Sequence, residues 1–122
     1  MNELIDRIAA NVGIDADVAQ KAVGMILAFL QSEGPADKVR QMMAAIPGSD
    51  ELIASASGGG GVLGGLMGGS VMGLGAKLMG LGLGMDEISG VAKETMGYAR
   101  EHGQGQAVDE IVASIPGLSQ FV

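Results

Sequence analysis

The sequence predicts an all-α protein, a helical bundle of two related three-helix repeats joined by a glycine-rich segment. Three observations carry that expectation. Apolar residues recur at spacings of three and four along most of the chain, as one face of a helix requires. No stretch alternates apolar and polar positions with β-branched side chains, so no strand is expected. The chain also matches itself without a gap at an offset of 69 residues: Val39, Ala44, Ile46, Pro47 and Gly48 fall on Val108, Ala113, Ile115, Pro116 and Gly117. The same register sets Gly34 on Gly103, Phe29 on Tyr98, Asp17 on Asp86, Gly13 on Gly82, and Leu52 and Ile53 on Phe121 and Val122. Residues 3–53 therefore echo residues 72–122, with a connector over about 57–70, inside a single domain spanning 1–122.

In the first half, Leu4, Ile5, Ile8 and Val12 share a helix face, and Gly13 stands where a left-handed residue ends a helix. Asp15 is a good N-cap for a second helix that is almost wholly apolar from Ala22 to Leu30 and hence buried. Gly34 and Pro35 break it, and Pro35 is placed to open a third helix with Val39, Met42, Met43 and Ile46 inward. Pro47 closes that helix, because it biases Ile46 away from helical angles and lacks an N–H.

The second half repeats the scheme with more polar material. Leu74, Leu78 and Leu81 make the first stripe, which Gly82 and Gly84 interrupt. Asp86 starts a central helix with Ile88, Val91, Ala92, Met96 and Ala99 on its apolar face. Gly103 and Gly105 make the turn, and Val108, Ile111, Val112 and Ile115 form the last stripe before Pro116.

Between the halves, residues 58–85 contain 13 glycines and have Lys77 as their only charged residue. On a helix, Leu63, Met67, Val71, Leu74, Leu78, Leu81 and Met85 would form one apolar stripe, and Gly61, Gly65, Gly69 and Gly73 a second stripe four residues apart. That is the small-xxx-small pattern that lets helix backbones touch. Against a helix stands propensity, about 1 kcal/mol per Gly relative to Ala. Three readings follow: a connector with a few side chains dipping into the core, a closely packed helix at a repeat or oligomer interface, and a membrane-inserted element. The repeat register favours the connector for 58 to about 70, with a helix from Val71. A membrane span needs about 20 strongly apolar residues, which this glycine content does not supply.

At 122 residues with 48% hydrophobic but only 2% aromatic content, the core must be built from aliphatic side chains and nine Met. The net charge of −7 opposes nucleic acid, whose binding needs clustered Lys and Arg. Without cysteine there is no disulfide, thiolate nucleophile or Cys-based metal site. The first residues, MNELIDRIAANVG, are acidic and lack the apolar core of a secretory signal, so a cytoplasmic location is expected, with an exported or membrane-associated protein as the alternative.

No constellation carries catalysis. His102 is the only histidine and has no triad or ligand partner at a recognisable spacing, so it reads as a helix-end residue. Asp15/Asp17 and Asp86/Glu87 could hold a cation or share a proton, yet both pairs fall at helix starts, where carboxylates cap free amides. The Gly-Leu run over 80–84 lacks the preceding strand of a dinucleotide fingerprint and the Lys-Ser/Thr of a P-loop. Met42, Met43, Met67, Met72, Met79, Met85 and Met96 serve as core filler in the simple reading and as an adaptable groove in the other. No cofactor and no metal is expected.

Gly13-Ile14-Asp15, the string Ala44-Ala45-Ile46-Pro47-Gly48 and the Gly/Leu-rich stretch after Gly58 together resemble the VcgC/VcgE-type family, small helical bacterial proteins of unknown function. The resemblance covers nearly the whole chain. It implies a helical fold, brings no catalytic or ligand residues, and implies export for many members.

These readings lead to a non-enzymatic protein-interaction or assembly module. Its partner is another protein or a further copy of itself, met through Gly61, Gly65, Gly69, Gly73, Leu63, Met67 and Val71. The alternative is a lipid or membrane-surface binder using residues 58–85.

Overall fold

The structure is a computed structural model that describes residues 3–46, 48–57, 71–115 and 117–120. It is all-α, with no strand among the described residues. Helix α1 (Glu3–Ile8) widens into a π-turn (Ala9–Gly13), followed by α2 (Ala16–Glu33), α3 (Ala36–Ala45) and α4 (Ser49–Ser57). After the glycine-rich stretch come α5 (Val71–Met79) and α6 (Met85–Ala99), which leads into Arg100–Gln104, where the helix is broken by a kink at His102 (φ −98°, ψ 21°) and Gly103 (φ 89°, ψ 7°). Helix α7 (Gly105–Ser114) and a single 3-10 turn (Leu118–Gln120) complete the described chain.

The apolar stripes read from the sequence become the core. Leu4, Ile5 and Ile8 of α1 are buried, as are Ala22, Val23, Ile26, Leu27, Phe29 and Leu30 of α2. Val39, Met42, Met43 and Ile46 point inward from α3, and Ile88, Val91, Ala92, Met96 and Ala99 from α6. Of the last stripe, Val108, Ile111 and Ile115 are buried and Val112 is partly so. Helices this short are marginal alone, and it is burial of these faces that holds them helical. Helices α2 and α6 touch each other in the middle of the molecule. Helix α1 packs on α2 and also on α6, while α5 packs on α6 and also on α2, so each half lends its first helix to the central helix of the other. Helices α3 and α7 lie against each other.

Local backbone features recur at the 69-residue spacing. Gly13 and Gly82 both follow a helical stretch at positive φ (84° and 94°), and Gly48 and Gly117 both take positive φ (71° and 85°) directly before the next helical segment. Ile46 and Ile115 close α3 and α7 with nearly the same angles (φ −102°, ψ 112° and φ −112°, ψ 110°), and their N–H groups donate to Met43 O and Val112 O. Helices α3 and α7 themselves begin and end 69 residues apart.

Several local details differ from the sequence reading. Pro35 is the residue before α3 rather than its first, and its carbonyl accepts the Val39 N–H at 2.9 Å. Asp15 stands at the N-cap of α2 but makes no side-chain cap hydrogen bond. At the start of α6 the capping group is not Asp86 but Glu87, whose Oε1 accepts the Gly84 N–H at 2.7 Å. A carboxylate three residues into the helix can curl back onto the preceding amide, whereas Asp86 is one position too early to do so. The first half also holds a helix that three-helix halves leave out. Helix α4 starts directly after Gly48, lies along α2 and buries Leu52. Its sequence signal is Ser49-Asp50-Glu51, a polar and acidic first turn after a left-handed glycine.

Candidate interaction surface

Helix α5 is the described end of the glycine-rich segment. Its sequence VMGLGAKLM buries Leu78 and half-buries Leu74 against the core, and it ends at Met79. The chain then turns through Gly80, Leu81 and Gly82, whose N–H groups donate to Ala76 O (3.1 Å), Leu78 O (3.0 Å) and Met79 O (2.9 Å). The turn closes because Gly82 takes positive φ, which lets Leu83 fold back into the core. Met79 and Met85, on either side of this corner, are left 52% and 55% exposed. They are the large apolar side chains that stand out in solvent among the described residues.

Beneath α5 lies a small void of about 10 Å³ lined by Ile26, Leu74, Gly75, Leu78, Ile88 and Leu118. A space of that size could hold one water by volume, but an apolar lining offers it no partners. A Cβ built on Gly75 meets nothing within 4 Å, so α5 closes over the core without filling the seam.

Of the residues singled out from the sequence, Gly61, Leu63, Gly65, Met67 and Gly69 lie outside the described residues. Val71 and Gly73 belong to α5, and what surrounds their side positions also lies outside the described features. By sequence spacing Met79 and Met85 do not differ from the other methionines; their place on the two sides of a tight glycine turn is what exposes them.

A second cluster joins α1 to α6. Arg7 Nε donates to Glu94 Oε1 at 2.7 Å, while Nη1 and Nη2 donate to Glu101 Oε1 and Oε2 at 3.0 and 2.6 Å. The fork-on-carboxylate geometry holds Glu101 below the usual carboxylate range and raises the Arg7 guanidinium further above its own. Next to it, Tyr98 OH donates to Glu3 Oε1 at 3.4 Å, and burial, followed by the Glu3 charge, pushes its pKa up. His102 is exposed and its ring lies against Tyr98 at a tilt of 42°, with ring centroids 4.2 Å apart. Nothing here is an activated nucleophile or base: the cation is saturated by carboxylates, and the phenol is held protonated. The cluster is a polar strap between the two halves. No sequence spacing announces it, because its hydrogen-bonded partners lie as many as 95 positions apart.

The strap makes stability pH-dependent in a calculable direction. Glu101 has a depressed pKa in the folded state, so its contribution is complete above the unfolded value and is lost as pH falls through the folded one. Arg7→Gln is therefore expected to flatten the acid limb of a stability-versus-pH curve while lowering the neutral plateau only modestly, since both side chains are partly solvated. Thermal melts from neutral pH down to pH 3 would show this; parallel acid limbs for the two proteins would remove the strap from the account.

No group of three or more His, Cys, Asp or Glu that could hold a metal ion is found among the described residues. No described helix is long and apolar enough to cross a membrane. The chain matches no family model, no curated protein and no solved structure.

Proposed function

We propose that the protein is a non-enzymatic interaction or assembly module that meets a protein partner, or a second copy of itself, through the glycine- and methionine-rich middle of the chain. The observation that carries this reading is the exposure of Met79 and Met85 at the corner where that segment joins the core. Methionine is flexible and polarizable and suits a surface that adapts to an apolar partner. The four-residue glycine series 61, 65, 69 and 73 lies just upstream in the sequence and supplies positions at which a partner backbone could approach closely. The chain as two related three-helix repeats, with 57–70 as their seam, belongs to the same proposal. Its support is the recurrence of turns and helix ends at 69 residues, and α4 is then an addition to the first repeat. Membership of the VcgC/VcgE-type family remains a proposal resting on the motifs quoted above.

Light scattering on the native chain and on Gly65→Leu, Gly69→Leu and Met79→Glu/Met85→Glu variants tests the reading. Assembly through this surface predicts that the native protein is larger than a monomer or binds a partner, and that the Glu pair abolishes this with the fold intact by circular dichroism. A native monomer that none of the variants alters, and that captures no partner, sinks it. Flotation with liposomes tests the lipid alternative, which predicts recovery of the native chain, and not the Glu pair, in the floating fraction.

A further inference from the structure

In a chain without cysteine, the thioether sulfurs of methionine are the groups that a hydroperoxide oxidises first, and the fold divides them into two sets. Met42, Met43 and Met96 are buried in the core and Met25 is packed partly against it, whereas Met79 and Met85 are more than half exposed. The Met43 sulfur also accepts the Gln31 side-chain N–H at 3.5 Å, which engages one of its lone pairs. Met79 is the last residue of α5 and Met85 the first of α6, so no following or preceding helical turn covers either side chain. The corner between them is held by other groups: Leu78 and Leu83 are buried, and the Met79 carbonyl accepts the Gly82 N–H at 2.9 Å. Neither sulfur has a part in holding the backbone there.

We propose that Met79 and Met85 form a reversible oxidation site, at which a hydroperoxide converts both thioethers to sulfoxides and turns the corner from apolar to polar without unfolding the protein. A sulfur lone pair attacks one peroxide oxygen, and the S–O bond forms as the O–O bond breaks. Sulfur gives up two electrons, and the leaving oxygen takes the proton of the transferred one and departs as water or an alcohol. Reduction consumes two thiols and yields a disulfide and water, the chemistry of the thiol-dependent methionine sulfoxide reductases, which need a sulfoxide they can reach. The sulfoxide oxygen is a strong acceptor. At the corner water satisfies it, whereas at Met42 or Met96 it would be buried in apolar surroundings without a donor, so the core resists the reaction. The consequence for binding rests on the interaction reading above: a partner held by the apolar corner is released once both residues carry sulfoxide. The oxidation site itself stands without that reading.

The test treats the native chain with hydrogen peroxide and follows each methionine by peptide mass spectrometry. Trypsin places Met79 and Met85 in peptide 78–93, Met96 in 94–100, and Met42 and Met43 in 41–77, where fragment ions separate them from Met67 and Met72. Met79 and Met85 are expected to react at least about tenfold faster than Met42, Met43 and Met96, and the ratio to fall to about one in strong urea, where no fold protects any of them. Protein oxidised at both corner residues is expected to keep its circular dichroism and melting temperature, and the two stereospecific methionine sulfoxide reductases with dithiothreitol to restore both thioethers. Equal rates in the native chain, a ratio that survives urea, a melt lowered by oxidation of the corner, or sulfoxides that resist both reductases would overturn the proposal. A native chain that neither assembles nor binds a partner sinks the interaction reading and leaves these rates as they are, so the two failures are distinct.

Discussion

Ile111→Ala is expected to lower the unfolding free energy by about 3 kcal/mol, a large share of the stability of a domain this size. Ile111 is completely buried on α7, where that helix meets α3. Its Cγ2 also lies 3.6 Å from the point where a Cβ on Gly34 would sit, so it packs against the turn leading out of α2 as well. Removing three carbons here leaves a cavity that the surroundings are poorly placed to fill. The backbone of Gly34 is fixed by its N–H bond to Leu30 O at 2.7 Å, and the Lys38–Glu110 pair at 3.1 Å ties α3 to α7 beside the gap. Val112→Ala, on the same helix but only partly buried, should cost about 1 kcal/mol. Urea denaturation of both variants would read the difference as a lower midpoint at unchanged slope. Similar midpoints for the two would mean that the α3–α7 contact lies outside the cooperative core.

Ile111 also illustrates what the sequence makes legible. Its inward direction follows from the spacing of Val108, Ile111, Val112 and Ile115, because a period near 3.6 fixes which residues share a face. The same periodicity identifies α2, α3 and α6, and the left-handed glycines 13 and 82 mark where helical segments stop. Periodicity does not say which faces meet. That α1 lies on α6 and α5 on α2 depends on three-dimensional packing, and so does the Arg7 strap that the first of these contacts brings together. Helix α4 is hard to read in the sequence because nine residues around the buried Leu52 give almost no periodic signal; its one signature is the Ser49-Asp50-Glu51 first turn. For the candidate surface, composition pointed to the glycine-rich middle but not to Met79 and Met85, since core and surface methionines have the same sequence spacing.

Gly34 and Gly103 occupy matching positions in the two halves, and the structure requires glycine at them for different reasons. Gly103 has φ +89° with open space around a built Cβ, so its cost to any other residue is conformational. Gly34 has φ −92°, which every residue adopts, but a Cβ there would lie 2.9 Å from Leu30 O and 3.0 Å from Val39 Cγ2. The first of those contacts is with backbone that is already accepting the Gly34 N–H, so it cannot be relieved by a side-chain rotation. Gly34→Ala is therefore expected to cost about 2–3 kcal/mol through forced movement of α2 against α3. Gly103→Ala should cost about 1–2 kcal/mol from the left-handed backbone alone. Asparagine separates the two mechanisms. It tolerates the left-handed region better than alanine, so Gly103→Asn should recover part of the loss, while the bulkier Gly34→Asn should be at least as damaging as Gly34→Ala. Thermal melts of the four variants give the ordering directly. If asparagine helps equally at both positions, steric exclusion at Gly34 is wrong and the two turns share one mechanism.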